Sequence, residues 1–188
     1  MLVLVVVATM QSAAPRVAAD LSPGVQLHYT AGTQFTSPWI VDSVAVGVPL
    51  MPGADCARFT IRRGEQAPNE SRYCVLRDTM FVWDARRSAW TAQRPVGPRM
   101  TMVHARVGGD TVRYTTDTLT FETISGVRVP VLPTTVLTLD SLGKPRRRLR
   151  ERYALSLATA TGGVFEAADG NGGWRPEQIF ELQRLVRP

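Results

Sequence analysis

Residues 56–74 read CARFTIRRGEQAPNESRYC, with the chain's only two cysteines at the ends. Counting outward from Glu65, Cys56 falls opposite Cys74, Ala57 opposite Tyr73, Arg58 opposite Arg72, and Phe59 opposite Ser71. Successive side chains of a strand face opposite ways, so Ala57, Phe59, Ile61, Tyr73 and Val75 share one face. Cys56, Arg58, Thr60, Glu70, Arg72 and Cys74 share the other. A slip of one residue would set the cysteines diagonally and mix the two sets. The register that joins the cysteines is also the one that sorts apolar from polar. The stretch therefore reads as a β-hairpin clamped on its outer face by a disulfide, which stabilises by ~3 kcal/mol through loop closure.

The rest of the chain is written in the same style. Thirteen prolines, fifteen glycines and a single lysine among 188 residues favour strands and turns over helices. Strands are expected at Val25–Thr30, Ile40–Val46, Thr79–Asp84, Ser88–Ala92, Thr118–Ile124, Val127–Val131, Thr134–Asp140 and Gly162–Ala167. Two alternating runs flank Gly108-Gly109, a dipeptide suited to a two-residue hairpin turn. Pairing across it sets Val103, Ala105, Val107, Val112 and Tyr114 on one face. Met102, His104, Arg106, Thr111, Arg113 and Thr115 take the other, with His104 opposite Arg113.

Arg146–Thr159 reads as one long strand, Leu149, Tyr153, Leu155 and Leu157 on one side and Arg146, Arg148, Arg150 and Arg152 on the other. Pro176–Val186 alternates as a last strand, although its opening proline also suits a helix. The expected fold is all-β: a single antiparallel domain forming a barrel-like or half-barrel curved sheet, with a β-sandwich as the alternative.

Met1–Ala8 is apolar but far too short to span a bilayer, and small residues precede Asp20. Residues 1–19 read as an export signal, leaving 20–188 as the domain, in spite of the missing basic n-region. Export and the disulfide support one another, because paired cysteines persist in oxidising compartments. The expected location is periplasmic or secreted.

Catalytic and cofactor motifs are sparse. Ser141-Leu142-Gly143-Lys144 matches S-x-x-K, but that chemistry needs a helix and these residues bridge two strands. Asp140-Ser141 lacks the following glycine of an aspartic-protease loop. Asp169-Gly170-Asn171-Gly172 resembles a calcium loop without its acidic ligands. His28 and His104 have no ligand-spaced neighbours and read as surface or rim residues. No catalytic, cofactor or metal residue is assigned, and no cofactor is expected.

The formal charge of +6 is carried almost wholly by arginine. Arg146, Arg148, Arg150 and Arg152 would form a ladder of about 20 Å on a strand, a candidate contact for an anionic surface. A solvated strand face, or an edge guarded by charge, is the preferred account. Nucleic acid is not an expected partner, because no aromatics interleave these arginines. Trp39, Trp83, Trp90 and Trp174 are candidates to line a pocket at a barrel mouth.

The C-terminal third, LTLDSLGKPRRRLRERYALSLATATGGVFEAADGNGGWRP, resembles the strand–turn–strand ending of small secreted or periplasmic β-proteins of Gram-negative bacteria. That resemblance implies a curved-sheet fold and an envelope location, and carries over no site residue. The leading functional expectation is a binding or carrier protein for an apolar or amphipathic, lipid-like molecule. An interaction module for an envelope partner or acidic surface is the alternative, and a hydrolase the third.

Overall fold

In the computed structural model, which describes residues 16–105 and 109–188, the hairpin of residues 56–74 adopts the expected register. β4 (Asp55–Arg63) pairs antiparallel with β5 (Asn69–Leu76), Cys56 facing Cys74, Ala57 Tyr73, and Phe59 Ser71. The cysteines are bonded. They lie on the outer row, yet solvent does not reach them. Phe81 of the next strand stands beside Cys74, and the loop after the preceding strand returns past Cys56, where the Val48 N–H donates to the Cys56 carbonyl.

Twelve strands follow one another around a nearly closed antiparallel barrel. Besides β4 and β5 these are β1 (Gln26–Ala31), β3 (Trp39–Val46), β6 (Thr79–Asp84), β7 (Ala89–Pro95), β8 (Thr101–Ala105), β9 (Thr111–Thr116), β11 (Val127–Leu139), β12 (Pro145–Ala154), β13 (Thr159–Ala168) and β14 (Trp174–Val186). The spatial order is β7-β6-β5-β4-β3-β1-β14-β13-β12-β11-β9-β8. A short β2 (Gln34–Phe35) pairs with β1, and β10 (Thr120–Ile124) pairs with β11. The sheet ends β7 and β8–β9 approach one another without a hydrogen-bonded ladder, which leaves a seam. The sandwich alternative is thereby set aside.

Several boundaries differ from expectation for identifiable reasons. The run expected as Arg146–Thr159 is broken after Ala154 by a buried 3₁₀ turn, Leu155–Leu157, and Ala158 takes a left-handed conformation to reverse the chain. Val127–Leu139 is one strand, not two: its first half pairs with β10 and its second with β9. The change of partner falls at Leu132–Pro133, where proline has no N–H to offer a ladder. Pro176–Val186 is strand.

The β8–β9 register is displaced by one residue. Met102 faces Tyr114, Val103 faces Arg113, and His104 faces Val112; the turn expected at Gly108-Gly109 lies partly outside the described residues. The slip exchanges faces: Val103 is 55% exposed, whereas Val112 is buried and His104 packs edge-on to Tyr114. β9 is held on its other side by β11, with Tyr114 facing Val136, and edge strand β8 takes its facing from it. Val107 and Arg106 lie outside the described residues.

One end of the barrel is filled. Leu27, Val41, Phe59, Met80, Val129, Val131, Leu157, Leu182 and Leu185 meet there, and the N-terminal segment plugs it. Val17 and Ala18 are fully buried. The Val17 N–H donates to Asp55 Oδ2 at 3.0 Å, Ala18 N–H to the Leu155 carbonyl at 3.0 Å, and Asp20 N–H to the Ser156 carbonyl at 2.9 Å. Residues 17–20 thus pack onto this end of the barrel. The β10–β11 hairpin covers this end from outside, where the Leu185 N–H donates to Ser125 Oγ.

Candidate functional site: the open end of the barrel

An antiparallel meander brings alternate turns to the same end. The β1–β2, β4–β5, β6–β7, β8–β9, β11–β12 and β13–β14 connections ring the end opposite the plug. Behind them lies a cavity of about 1370 Å³. Seven aromatic side chains, Tyr29, Trp39, Tyr73, Tyr114, Tyr153, Phe165 and Phe180, line it beside Val136 and Leu149, and polar and charged side chains share the wall, Arg63, Asp110, Asp140 and Glu177 among them. A second cavity of about 690 Å³ continues along the seam and shares Tyr73, Gln93 and Tyr114 with the first.

Packing holds these rings in place. Tyr29 tilts against Trp39 with centroids 5.1 Å apart, and Phe165 against Phe180 at 5.7 Å. The Phe180 ring lies over Gly163: a Cβ there would come within 3.0 Å of the ring and 2.6 Å of the Arg150 carbonyl. Tyr29 OH donates to the Ala160 carbonyl at 2.9 Å and meets Thr159 Oγ1 at 3.2 Å. Burial pushes the Tyr29 hydroxyl up to about 12 and raises Tyr73 and Tyr153 as well.

One ion pair stands inside. Arg94 Nη2 donates to Glu151 Oε1 at 2.5 Å, and both side chains are more than nine-tenths buried. The Arg94 guanidinium lies 3.8 Å over the Tyr153 ring, a cation–π contact strengthened by desolvation. The Tyr153 hydroxyl donates to Met80 Sδ. The deep part of the site is thus aromatic and charge-balanced.

Residues toward the rim differ. Lys144 and Arg147 line the cavity, and among the described residues neither has a carboxylate within ion-pair distance. On the outer face of the same strand, all four arginines of the expected ladder have partners. Arg146 meets Asp110 at 3.8 Å, Arg148 and Arg150 share Glu166 at 2.7 and 3.0 Å, and Arg152 joins Glu122 and Glu181. The Arg148 hydrogen bond, with that of Arg150, holds the Glu166 carboxyl below the usual carboxylate range against the effect of burial. The ladder exists, but four carboxylates compensate its charge.

Other singled-out residues take structural places. Asp140 Oδ1 accepts the N–H groups of Leu142 and Lys144, both at 2.9 Å, so the S-x-x-K match is a side-chain-capped turn. Asp169 Oδ1 accepts those of Asn171 and Gly173 in the same way. Of the four tryptophans, Trp39 lines the main cavity and Trp83 the seam. Trp90 packs on Trp83, and Trp174 lies under Arg148. His28 meets Gln26. His104 is half-buried and lines the seam cavity, with its Nε2 turned away from solvent. Among the described residues no group of three or more His, Cys, Asp or Glu could hold a metal ion, and no helix is long and apolar enough to cross a membrane.

Sequence reasoning passed over Glu151 and Arg147. Both have the parity of Leu149 and Tyr153, and a carboxylate between two apolar inward residues is a signal that a buried partner must exist. Arg94 left no such signal, because a bulge between Met80 and Phe81's partners turns it inward.

No family model matches the chain, and no curated protein matches it in sequence. A similar solved structure is that of a Bacteroides fragilis protein described as exported with a YmcC-like fold. Identity is 8% and the TM-score 0.49, over 92% of this chain and 98% of that one.

Proposed function

We propose that this is a non-catalytic carrier or binding protein of the periplasm or extracellular space that holds an apolar or amphipathic molecule inside its barrel. The observation that carries this reading is the aromatic cavity of about 1370 Å³ at the turn-ringed end, opposite a packed and plugged base. Binding sites of this kind are concave and mostly apolar, with a few placed polar groups. The buried disulfide supports an oxidising compartment.

Native mass spectrometry of the protein, isolated from the envelope of its own cells, tests the reading. A co-purifying small amphiphile, released by Phe180→Arg or Leu149→Arg, is expected. Protein that is free of ligand and does not take up the neutral probe N-phenylnaphthylamine would overturn it.

A further inference from the structure

We infer that the bound molecule carries a single anionic head group, which Lys144 and Arg147 hold at the rim while its apolar tail lies in the barrel; the inference rests on the carrier reading.

β12 supplies a comparison within one strand. Its outward arginines at 146, 148, 150 and 152 are each matched by a carboxylate. Its inward arginine, Arg147, and Lys144 in the preceding turn are not; both border the cavity, as do the paired Arg146 and Arg148 and, across from them, Arg63, which among the described residues also has no carboxylate within ion-pair distance. Lys144 and Arg147 are exposed, so neither is forced to find an internal partner.

The deeper cation cannot serve the same purpose. Arg94 is already engaged by Glu151 and stacked on Tyr153, so an anion carried inward would meet a balanced pair and the Glu151 charge. An anionic group is therefore disfavoured in the depth; at the rim Lys144 and Arg147 attract it, while of the carboxylates there Asp110 is engaged by Arg146, Asp140 caps its own turn, and Glu177 opposes them. From Arg147 the inward row of β12 continues through Leu149 and Glu151 to Tyr153, about 20 Å at strand spacing, which suits an extended alkyl or polyaromatic tail. Guanidinium and ammonium groups bind carboxylate and phosphate alike, so the shared chemistry is an anionic oxygen head group.

Calorimetric titration with four dodecyl amphiphiles below their micellar concentrations tests this. Dodecanoate and dodecyl phosphate are expected to bind about tenfold more tightly than dodecyl maltoside or dodecyltrimethylammonium, with the preference falling as salt is added. The tighter of the two anions identifies the head group. Lys144→Glu with Arg147→Glu should abolish the preference, with dodecyl maltoside still bound. Equal affinity for all four, or an unaltered preference in the double variant, would overturn the head-group inference with the carrier reading intact. Failure of all four to bind would overturn both.

Discussion

Arg94 and Glu151 meet inside the barrel at 2.5 Å, one from end strand β7 and the other from β12. Followed through hydrogen-bonded neighbours, β7 and β12 are eight steps apart, so the contact ties the end strand β7 across the barrel to an interior strand with which it shares no backbone ladder. Removing one partner strands a buried charge. Glu151→Gln or Arg94→Met is expected to destabilise by about 3–5 kcal/mol, and Arg94→Met with Glu151→Met to recover most of the loss. Urea denaturation of the two single variants and the double variant measures this.

The Cys56–Cys74 bond closes a loop with a sequence separation of 18. Cys56→Ala with Cys74→Ala is expected to lower stability by about 3 kcal/mol. Because both cysteines are fully buried, dithiothreitol should leave the bond intact in the folded protein and reduce it only when urea unfolds the chain. Thiol labelling against urea concentration checks this.

Tyr29, Tyr73 and Tyr153 all have hydroxyls raised by burial, Tyr29 to about 12. Folding then favours the protonated form, while the unfolded tyrosines ionise near their usual value of about 10. Stability is full below that value and falls as pH rises from it through the folded values. Tyrosinate absorbance of these residues is expected to rise together with loss of the β-sheet circular dichroism signal. Ionisation of all three in fully folded protein would contradict the assignment.

Val17 and Ala18 belong to the core. A chain beginning at Asp20 loses their burial and the bonds to Asp55 and Leu155. It is expected to be less stable than one beginning at Arg16 by about 3 kcal/mol. If the chain is exported and trimmed, N-terminal sequencing should place the cut before Val17.

The likeness between hairpin 56–74 and its sequence reading has a local cause. Pairing partners there lie on either side of one turn, and the same alternation sorts both strands. The β8–β9 hairpin looked equally clear from Val103, Val112 and Tyr114, yet its register moved by one residue. An edge strand takes its facing from a neighbour, here β11 through Tyr114 and Val136, which is remote in sequence.

The candidate site divides in the same way. Alternation along β12 was enough to put Leu149 and Tyr153 on one face and the four arginines on the other; the same parity, not followed to Arg147 and Glu151 in the sequence reading, sets both on the inward row. It could not name the outer arginines' partners, since Glu122, Glu166 and Glu181 come from three other strands. Nor could it reach Arg94. Alternation from Trp90 through Ala92 would place Arg94 on the outer row; the bulge in β7 sets it instead beside Met80. One additional residue in a strand exchanges its two faces. Strand period, the disulfide and its register were determined by the sequence alone. Barrel closure, the plugged base and the partner of Glu151 were decided only by tertiary structure, because each depends on which distant strands become neighbours.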